Sequence, residues 1–274
     1  MYKRQVDTLF NAAGVPRGAQ VTNYLLEKSR IVFQSAGERG FHVFYQLIRG
    51  APDAVRAKYH LEGGVEGFAC LNLSGSNTFD VADVDDVEEF GATRQALATT
   101  AFGAREQDAL FSLVAAVLHL GNVKFKEVDG SKAEACRVGG AGLAHAAELL
   151  GVDGDVLARV LSVRHIKTAR EEYDVPNNRM QCGQTRDALA KALYARAFDW
   201  IVKRVNAAIA PPTNEEGEPG QELPFSIGVL GQQQRLHLRA IEHRHSRRVC
   251  RRHLIRVCCV ALCVQTFTAS RCSL

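Results

Sequence analysis

The sequence predicts a mainly α-helical fold with a few edge β-strands, and three observations support that class. Long segments carry apolar residues at helical spacing, most clearly over residues 105–120 and 184–209. Strand-like composition is confined to short segments. Hydrophobic residues make up 46% and charged residues 23% of the 274 residues, which are the proportions of a globular protein.

The first 50 residues predict two strands and a helix. Apolar residues on either side of the turn signal Asn11-Ala12-Ala13-Gly14 predict edge strands at 2–10 and 18–33. A helix is predicted over 38–50, because four aromatic or aliphatic residues share one face at i, i+3, i+4 and i+7 spacing. Gly50 is placed to end that helix.

The middle of the chain predicts one strand, four helices and a flexible connector. The acidic run that begins at Asp83 suits the first turn of a helix, since carboxylates are stabilised at the positive end of the helix dipole. The other predicted elements are a strand at 66–73, helices at 105–120, 142–150 and 153–162, and a connector at Gly139–Gly142.

The longest predicted helix covers 184–209, where seven apolar residues form one stripe. Thr185 and Asp187 suit its first turn. A polar stretch rich in Pro, Gly and Glu, from Pro211 to Glu222, predicts a surface loop. The apolar segment 225–230 then predicts a buried strand.

Residues 231–274 differ in composition from the rest of the chain. They contain nine Arg, no Lys, four His, five Cys and a single acid, Glu242. Without them the chain retains 25 of its 34 basic and 29 of its 30 acidic residues, a formal charge of −4. The pI of about 8.6 therefore comes from this segment, and nucleic acid is not an expected partner of residues 1–230.

We expect this C-terminal segment to be disordered or to reflect an error in the gene model, because its apolar residues have no coherent packing pattern. Alternatively, its arginines could bind phosphates and its Cys and His residues could bind zinc, although the paired Cys-x-x-Cys spacing of zinc sites is missing.

Several function classes are not expected for residues 1–230. No apolar run reaches the roughly 20 residues that a membrane helix needs, and the first seven residues lack the apolar core of a secretory signal. The three cysteines, Cys70, Cys136 and Cys182, lack metal-ligand spacing and suit buried thiols in a reducing cytoplasm. No nucleophile–base pair is evident, and neither catalytic nor metal-binding residues are expected.

Four separated segments resemble a known family. They are Tyr24–Ile31 with Glu38–Leu47, then Leu118–Phe125, Arg186–Val202 and Ile227–Leu230. In this order they resemble four parts of a myosin motor head. These parts are the segment after the first switch loop, the Leu-His-Leu-Gly-Asn element, the long helix of the upper actin-binding subdomain, and the strand before the second switch loop. The chain is therefore identified as a member of the myosin family.

The resemblance implies a parent fold of the α/β P-loop NTPase type and a function in actin binding and ATP-driven movement, with ATP and Mg²⁺ as cofactors. The family's phosphate loop, which ends in Gly-Lys-Ser/Thr, and its two switch loops are all missing from the sequence. We therefore expect residues 1–230 to be a partial motor domain that begins after the first switch and ends before the second. On its own it should neither hydrolyse ATP nor bind it tightly.

The resemblance also implies an actin-contacting loop. Its charge-sensitive position lies sixteen residues before Asp187, at Glu171, with Glu172 beside it. An acid there supplies negative charge without phosphorylation; the alternative is that both are ordinary solvated loop acids. The following Pro176-Asn177-Asn178 departs from the family's Pro-Leu-Asn pattern, which leaves the geometry of the loop open.

Tyr24 and Leu25 would lie near the nucleotide pocket by the same resemblance, with plain strand packing as the alternative. The first function hypothesis is therefore a fragment of an actin-based motor of the cytoplasmic cytoskeleton, built from the upper actin-binding subdomain and edge strands that lack their central partners. The second is a short, non-enzymatic actin-binding protein whose basic C-terminal segment binds anionic partners. Light chains are not predicted, because the helix that binds them is not in the sequence.

Overall fold

The computed structural model describes residues 4–22, 26–35, 37–72, 79–81, 84–128, 135–168, 171–211 and 225–231. The described residues form two compact units, one from 4–27, 91–107 and 198–231 and one from 28–90 and 108–197. The helices are α1 (His42–Gly50), α2 (Asp53–Lys58), α3 (Asp86–Thr99), α4 (Ala104–Gly121), α5 (Ala141–Leu150), α6 (Gly154–Ser162) and α7 (Arg179–Ile209). The strands are β1 (Arg4–Phe10), β2 (Pro16–Thr22), β3 (Lys124–Glu127), β4 (Cys136–Gly139), β5 (Val163–Lys167), β6 (Glu172–Pro176) and β7 (Phe225–Gly231).

The predicted fold class is confirmed: the chain is mostly helical, with short strands that pair antiparallel. Helix α4 extends one residue beyond each end of the predicted helix. In the second unit, the predicted apolar face of α1 is buried, and the ring of Phe41 stacks on that of Tyr194 with 4.8 Å between centroids. The helical periodicity of the sequence therefore located the core of this unit correctly.

The first unit contains a three-stranded antiparallel sheet in the order β2-β1-β7. The predicted strands at 2–10 and 225–230 are confirmed, and they pair antiparallel with each other. The side-chain amide of Asn206 accepts a hydrogen bond from the Val21 N–H at 2.7 Å and donates to the Val21 carbonyl at 3.0 Å. It thereby satisfies two groups of edge strand β2 that would otherwise be open to another chain.

One predicted strand is confirmed only in its first part, and another is wrong. Strand β2 ends at Thr22, and Lys28–Ile31 forms a 3₁₀ helix instead of continuing the predicted strand to residue 33. The segment 66–73 contains two 3₁₀ turns. Asn122 holds these turns, because its amide accepts from the Ala69 N–H at 2.8 Å and donates to the Gly67 carbonyl at 2.7 Å. Two of the backbone groups that a strand would need for pairing are therefore already used.

Other boundaries differ for local reasons. The predicted flexible connector at 139–142 is the end of β4 and the start of α5, with Gly140 at φ 98°. Helix α3 begins at Asp86, and its cap is Asp85, whose carboxylate accepts from two backbone N–H groups. Asp83, Tyr24, Leu25, most of the predicted 211–222 loop and all of 232–274 lie outside the described residues.

Candidate functional site

The predicted site residues Glu171 and Glu172 lie at the end of a β-hairpin that the sequence did not reveal. Strands β5 and β6 pair antiparallel, with Val163 opposite Pro176 at the base and Lys167 opposite Glu172 near the tip. The side-chain hydroxyl of Thr168 accepts from the Glu171 N–H at 3.0 Å, and the Thr168 N–H donates to the Glu171 carbonyl at 2.8 Å. The backbone of Glu171 is therefore fixed at the end of the hairpin.

One face of this hairpin is a ladder of charged side chains. Residues that alternate along paired strands share a face, so Lys167, His165, Glu172 and Asp174 lie together. Glu172 forms an ion pair with Lys167 and lies 3.8 Å from the His165 ring nitrogen. Asp174 contacts His165 at 2.9 Å and Arg159 of α6 at 2.7 Å, and these two hydrogen bonds lower the pKa of its carboxyl group.

The two predicted acids are thus not equivalent. Both side chains are exposed, but the carboxylate of Glu172 is partly neutralised by Lys167. Within the described part of the chain, no ion pair involves Glu171. Glu171 therefore presents a carboxylate that no other described side chain neutralises.

The opposite face of the hairpin carries Ile166 and Tyr173, which form a cross-strand pair. Tyr173 is 46% exposed, so a large part of its aromatic ring faces solvent beside the acidic tip. Aromatic side chains with a polar end are common in protein interfaces because they bury much area while the hydroxyl group still hydrogen-bonds.

The base of the hairpin is anchored by a buried asparagine. The Asn177 N–H donates to the Ser162 carbonyl at 2.7 Å, and its side-chain amide donates to the Leu161 carbonyl at 3.3 Å. Asn177 thereby satisfies carbonyls at the C-terminal end of α6, which have no partner within the helix. The departure from the Pro-Leu-Asn pattern thus gives a defined polar anchor.

Helix α7 begins immediately after this anchor. The Asn178 side chain accepts from the Gln181 N–H at 2.9 Å, and the Gln181 side chain accepts from the Asn178 N–H at 3.0 Å. This reciprocal pair is a capping box, and it starts the helix five residues before the predicted residue 184. The Asn-x-x-Gln signal was present in the sequence, whereas the polar hairpin had no apolar alternation by which to recognise it.

The described residues offer no second candidate site. A cleft in the second unit is lined by residues that include Cys70, Gly121, Arg186 and Asp187, and neither Glu171 nor Glu172 is among its described lining residues. Burial raises the pKa of the Cys70 thiol to about 12, which disfavours a nucleophilic thiolate. Among the described residues, no group of three or more His, Cys, Asp or Glu could hold a metal ion, and no helix is long and apolar enough to span a bilayer.

Comparison with known proteins gives consistent matches over most of the chain. A profile of the myosin head (motor domain) family matches residues 2–230. The myosin heavy chain IB of Acanthamoeba castellanii is 42% identical over 222 residues, which are 81% of this chain and 18% of that protein. The myosin IC heavy chain of Dictyostelium discoideum is 42% identical over 208 residues, 74% of this chain and 17% of the relative. Myosin-1 of Laccaria bicolor is 39% identical over 211 residues, 75% and 16% respectively. The chain thus spans less than a fifth of the length of the curated relatives it matches.

Proposed function

The chain belongs to the myosin head family, and on that premise we propose that it is part of an actin-based, ATP-driven motor whose β5–β6 hairpin contacts the actin filament. The second unit then corresponds to the upper actin-binding subdomain, and the sheet of the first unit to strands of the central sheet of a P-loop NTPase fold. The setting of this function is the cytoplasmic cytoskeleton.

The exposed carboxylate of Glu171 is the observation that supports this assignment. Its backbone is held by Thr168, and its charge is not neutralised by another described side chain. A fixed negative charge at an exposed tip acts at long range on a charged partner and is screened by salt. Family resemblance gives that partner as the actin filament, and the carboxylate takes the place that a phosphorylated residue could fill.

Cosedimentation of the full 274-residue chain with filamentous actin tests this proposal at 50 and 200 mM KCl. We expect Glu171→Lys to change the bound fraction several-fold at low salt and much less at high salt, because screening weakens the charge interaction. Glu172→Gln should have a smaller effect, since Lys167 already compensates that carboxylate.

Glu88→Lys is the matched control, because Glu88 is an exposed acid on α3 and its replacement by lysine makes the same change in net charge. Equal effects of the two lysine substitutions would mean that actin senses only the overall charge. If Glu171→Lys leaves the binding of the chain to actin unchanged, the hairpin is not part of the actin interface.

We further propose that the nucleotide chemistry of the motor requires loops other than those in this chain. The sequence contains no Gly-Lys-Ser/Thr phosphate loop and neither switch motif. The complete family member uses ATP and Mg²⁺, whereas the 274-residue chain should release no phosphate above the buffer rate. Phosphate release measured with and without actin checks this, and magnesium-dependent turnover by the purified chain would contradict it.

A further inference from the structure

Three histidine rings form a compact cluster in the second unit, away from the hairpin. The rings of His60 and His145 stack with 3.9 Å between centroids and an interplanar angle of 5°. His119 meets His145 edge-on at 4.9 Å and His60 at 6.1 Å. His119 is buried, and its Nε2 lies 2.9 Å from the Tyr59 carbonyl oxygen, to which it donates.

The cluster lies where α5 packs on α4. A side-chain Cβ at Gly142 would fall 2.8 Å from the His119 carbonyl oxygen, so the backbones of the two helices touch there. At the other end of α5, the Ser112 hydroxyl of α4 donates to the Leu149 carbonyl at 3.0 Å. His145 contacts His119 between these two points, and its ring is therefore part of the seam that joins the helices.

The charged side chains described around the cluster are two acids and one ion pair. Glu148 of α5 contacts His60 at 3.0 Å, and Glu62 lies near enough to His145 to raise its pKa. Lys58 of α2 and Asp108 of α4 are paired with each other. Burial and the neighbouring His60 outweigh the effect of the acids and lower the pKa of His145. The pKa of His119 is lowered to about 4, mainly by burial.

We propose that His60, His119 and His145 form an acid-sensitive latch, which holds α5 against α4 while the rings are uncharged and releases α5 when the cluster takes up protons. Protonation would place like charges on His119 and His145, whose ring centroids lie 4.9 Å apart, with Glu148 held beside them by its contact with His60. The released state solvates each ring separately. This device is independent of actin binding.

The sign of the pH dependence follows from His119. Its lowered pKa means that the unfolded chain binds a proton more readily than the folded chain below pH 6.5, so stability is present above that value and falls as the pH drops toward 4. For a shift from 6.5 to about 4, the opening equilibrium constant should rise about 30-fold between pH 7.5 and pH 5.

Urea unfolding of the full chain at pH 7.5 and pH 5.0 measures this linkage. His119→Gln keeps an amide donor near the Nε2 position but does not titrate, so we expect it to lose most of the 30-fold acid effect. His165→Gln is the comparison variant, because His165 is an exposed histidine whose partners Glu172 and Asp174 lie on the hairpin, and it should keep most of the acid effect. Equal acid sensitivity in wild type and His119→Gln would overturn the proposal.

Two further measurements test the proposal even if His119→Gln does not fold. Hydrogen exchange of wild type at pH 7.5 and 5.5, corrected for intrinsic rates, should show α5 losing protection before the Ala190–Ala197 part of α7. His145→Phe, which keeps the stacked ring, should reduce that loss. Simultaneous loss of protection in α5 and α7, or a His119 imidazole that titrates at 6.5 or above by NMR, would exclude a latch.

Discussion

The guanidinium group of Arg39 lies 2.8 Å from the carboxylate of Asp86, and both side chains are buried. Arg39 also donates to the Phe79 carbonyl at 2.9 Å, and Arg49 approaches the same carboxylate at 3.1 Å. Asp86 is the first residue of α3, so this ion pair ties the start of α3 to the segment that precedes α1. The acidic run therefore contains a buried structural carboxylate, Asp86.

Substituting Asp86→Asn should reduce the free energy of unfolding by about 3–5 kcal/mol, because it leaves the buried guanidinium of Arg39 without its counter-charge. Urea denaturation measures the change. Asp85→Asn is the control, since asparagine caps a helix about as well as aspartate and should leave stability nearly unaltered. Similar losses in the two variants would mean that negative charge at the start of α3, and not the buried ion pair, explains the effect.

Gly142 and Gly183 should respond oppositely to alanine. A Cβ at Gly142 would meet backbone atoms of His119 and Asn122 within 2.9 Å, so we expect a loss of about 1–3 kcal/mol from the forced separation of the chains. A Cβ at Gly183 would have no neighbour within 4 Å, and alanine inside α7 should add about 0.5–1 kcal/mol. Thermal unfolding of both variants checks this pair, and destabilisation by Gly183→Ala would contradict it.

The capping box of α7 predicts a coupled effect. Removing the Asn178 side chain with alanine should lower stability by about 1 kcal/mol, since it leaves the Gln181 N–H without a partner. Gln181→Ala should cost less, and the double variant should cost less than the sum of the two. A double-mutant cycle measures the coupling, with Gln184→Ala as a control inside the helix. Strictly additive losses would show that the two side chains act independently.

The buried thiols should resist alkylation in the folded chain. Burial raises the pKa of Cys70 and, together with the neighbouring Cys136, that of Cys182 to about 12. At pH 8 only about one such thiol in 10,000 is then a reactive thiolate. Iodoacetamide labelling followed by peptide mass spectrometry should show both unmodified in buffer and fully modified in urea. Modification of Cys70 within minutes in buffer would indicate that its site opens frequently.

Helical periodicity carried most of the successful predictions. Apolar stripes alone placed α4 within one residue at each end and identified the buried face of α1, because packing of one face against a core requires that spacing. The strands at the two ends of residues 1–230 were also found, since their apolar composition had few helical features. The pairing of these two strands with each other was not predicted, because strand pairing joins residues that lie far apart in the sequence.

The predictions failed where polar side chains decide the local structure. Asn122 fixes two turns 53 and 55 residues away in sequence, so the strand predicted at 66–73 could not be rejected from local composition. The charged ladder of His165 and Asp174 hides the alternation by which a hairpin is normally recognised. Glu171 was singled out by family resemblance alone, and its difference from Glu172 needed the position of Lys167.

The adjacent residues Asn177 and Asn178 restrict where residues can be inserted into or deleted from the chain. The first closes the hairpin onto α6 and the second starts α7, so no residue separates the two structures. One added or deleted residue at this junction would break one of the two anchors. Insertions that arise during evolution, or that are engineered as tags or fluorescent labels, should be tolerated only at the opposite end of the hairpin, between Thr168 and Glu171.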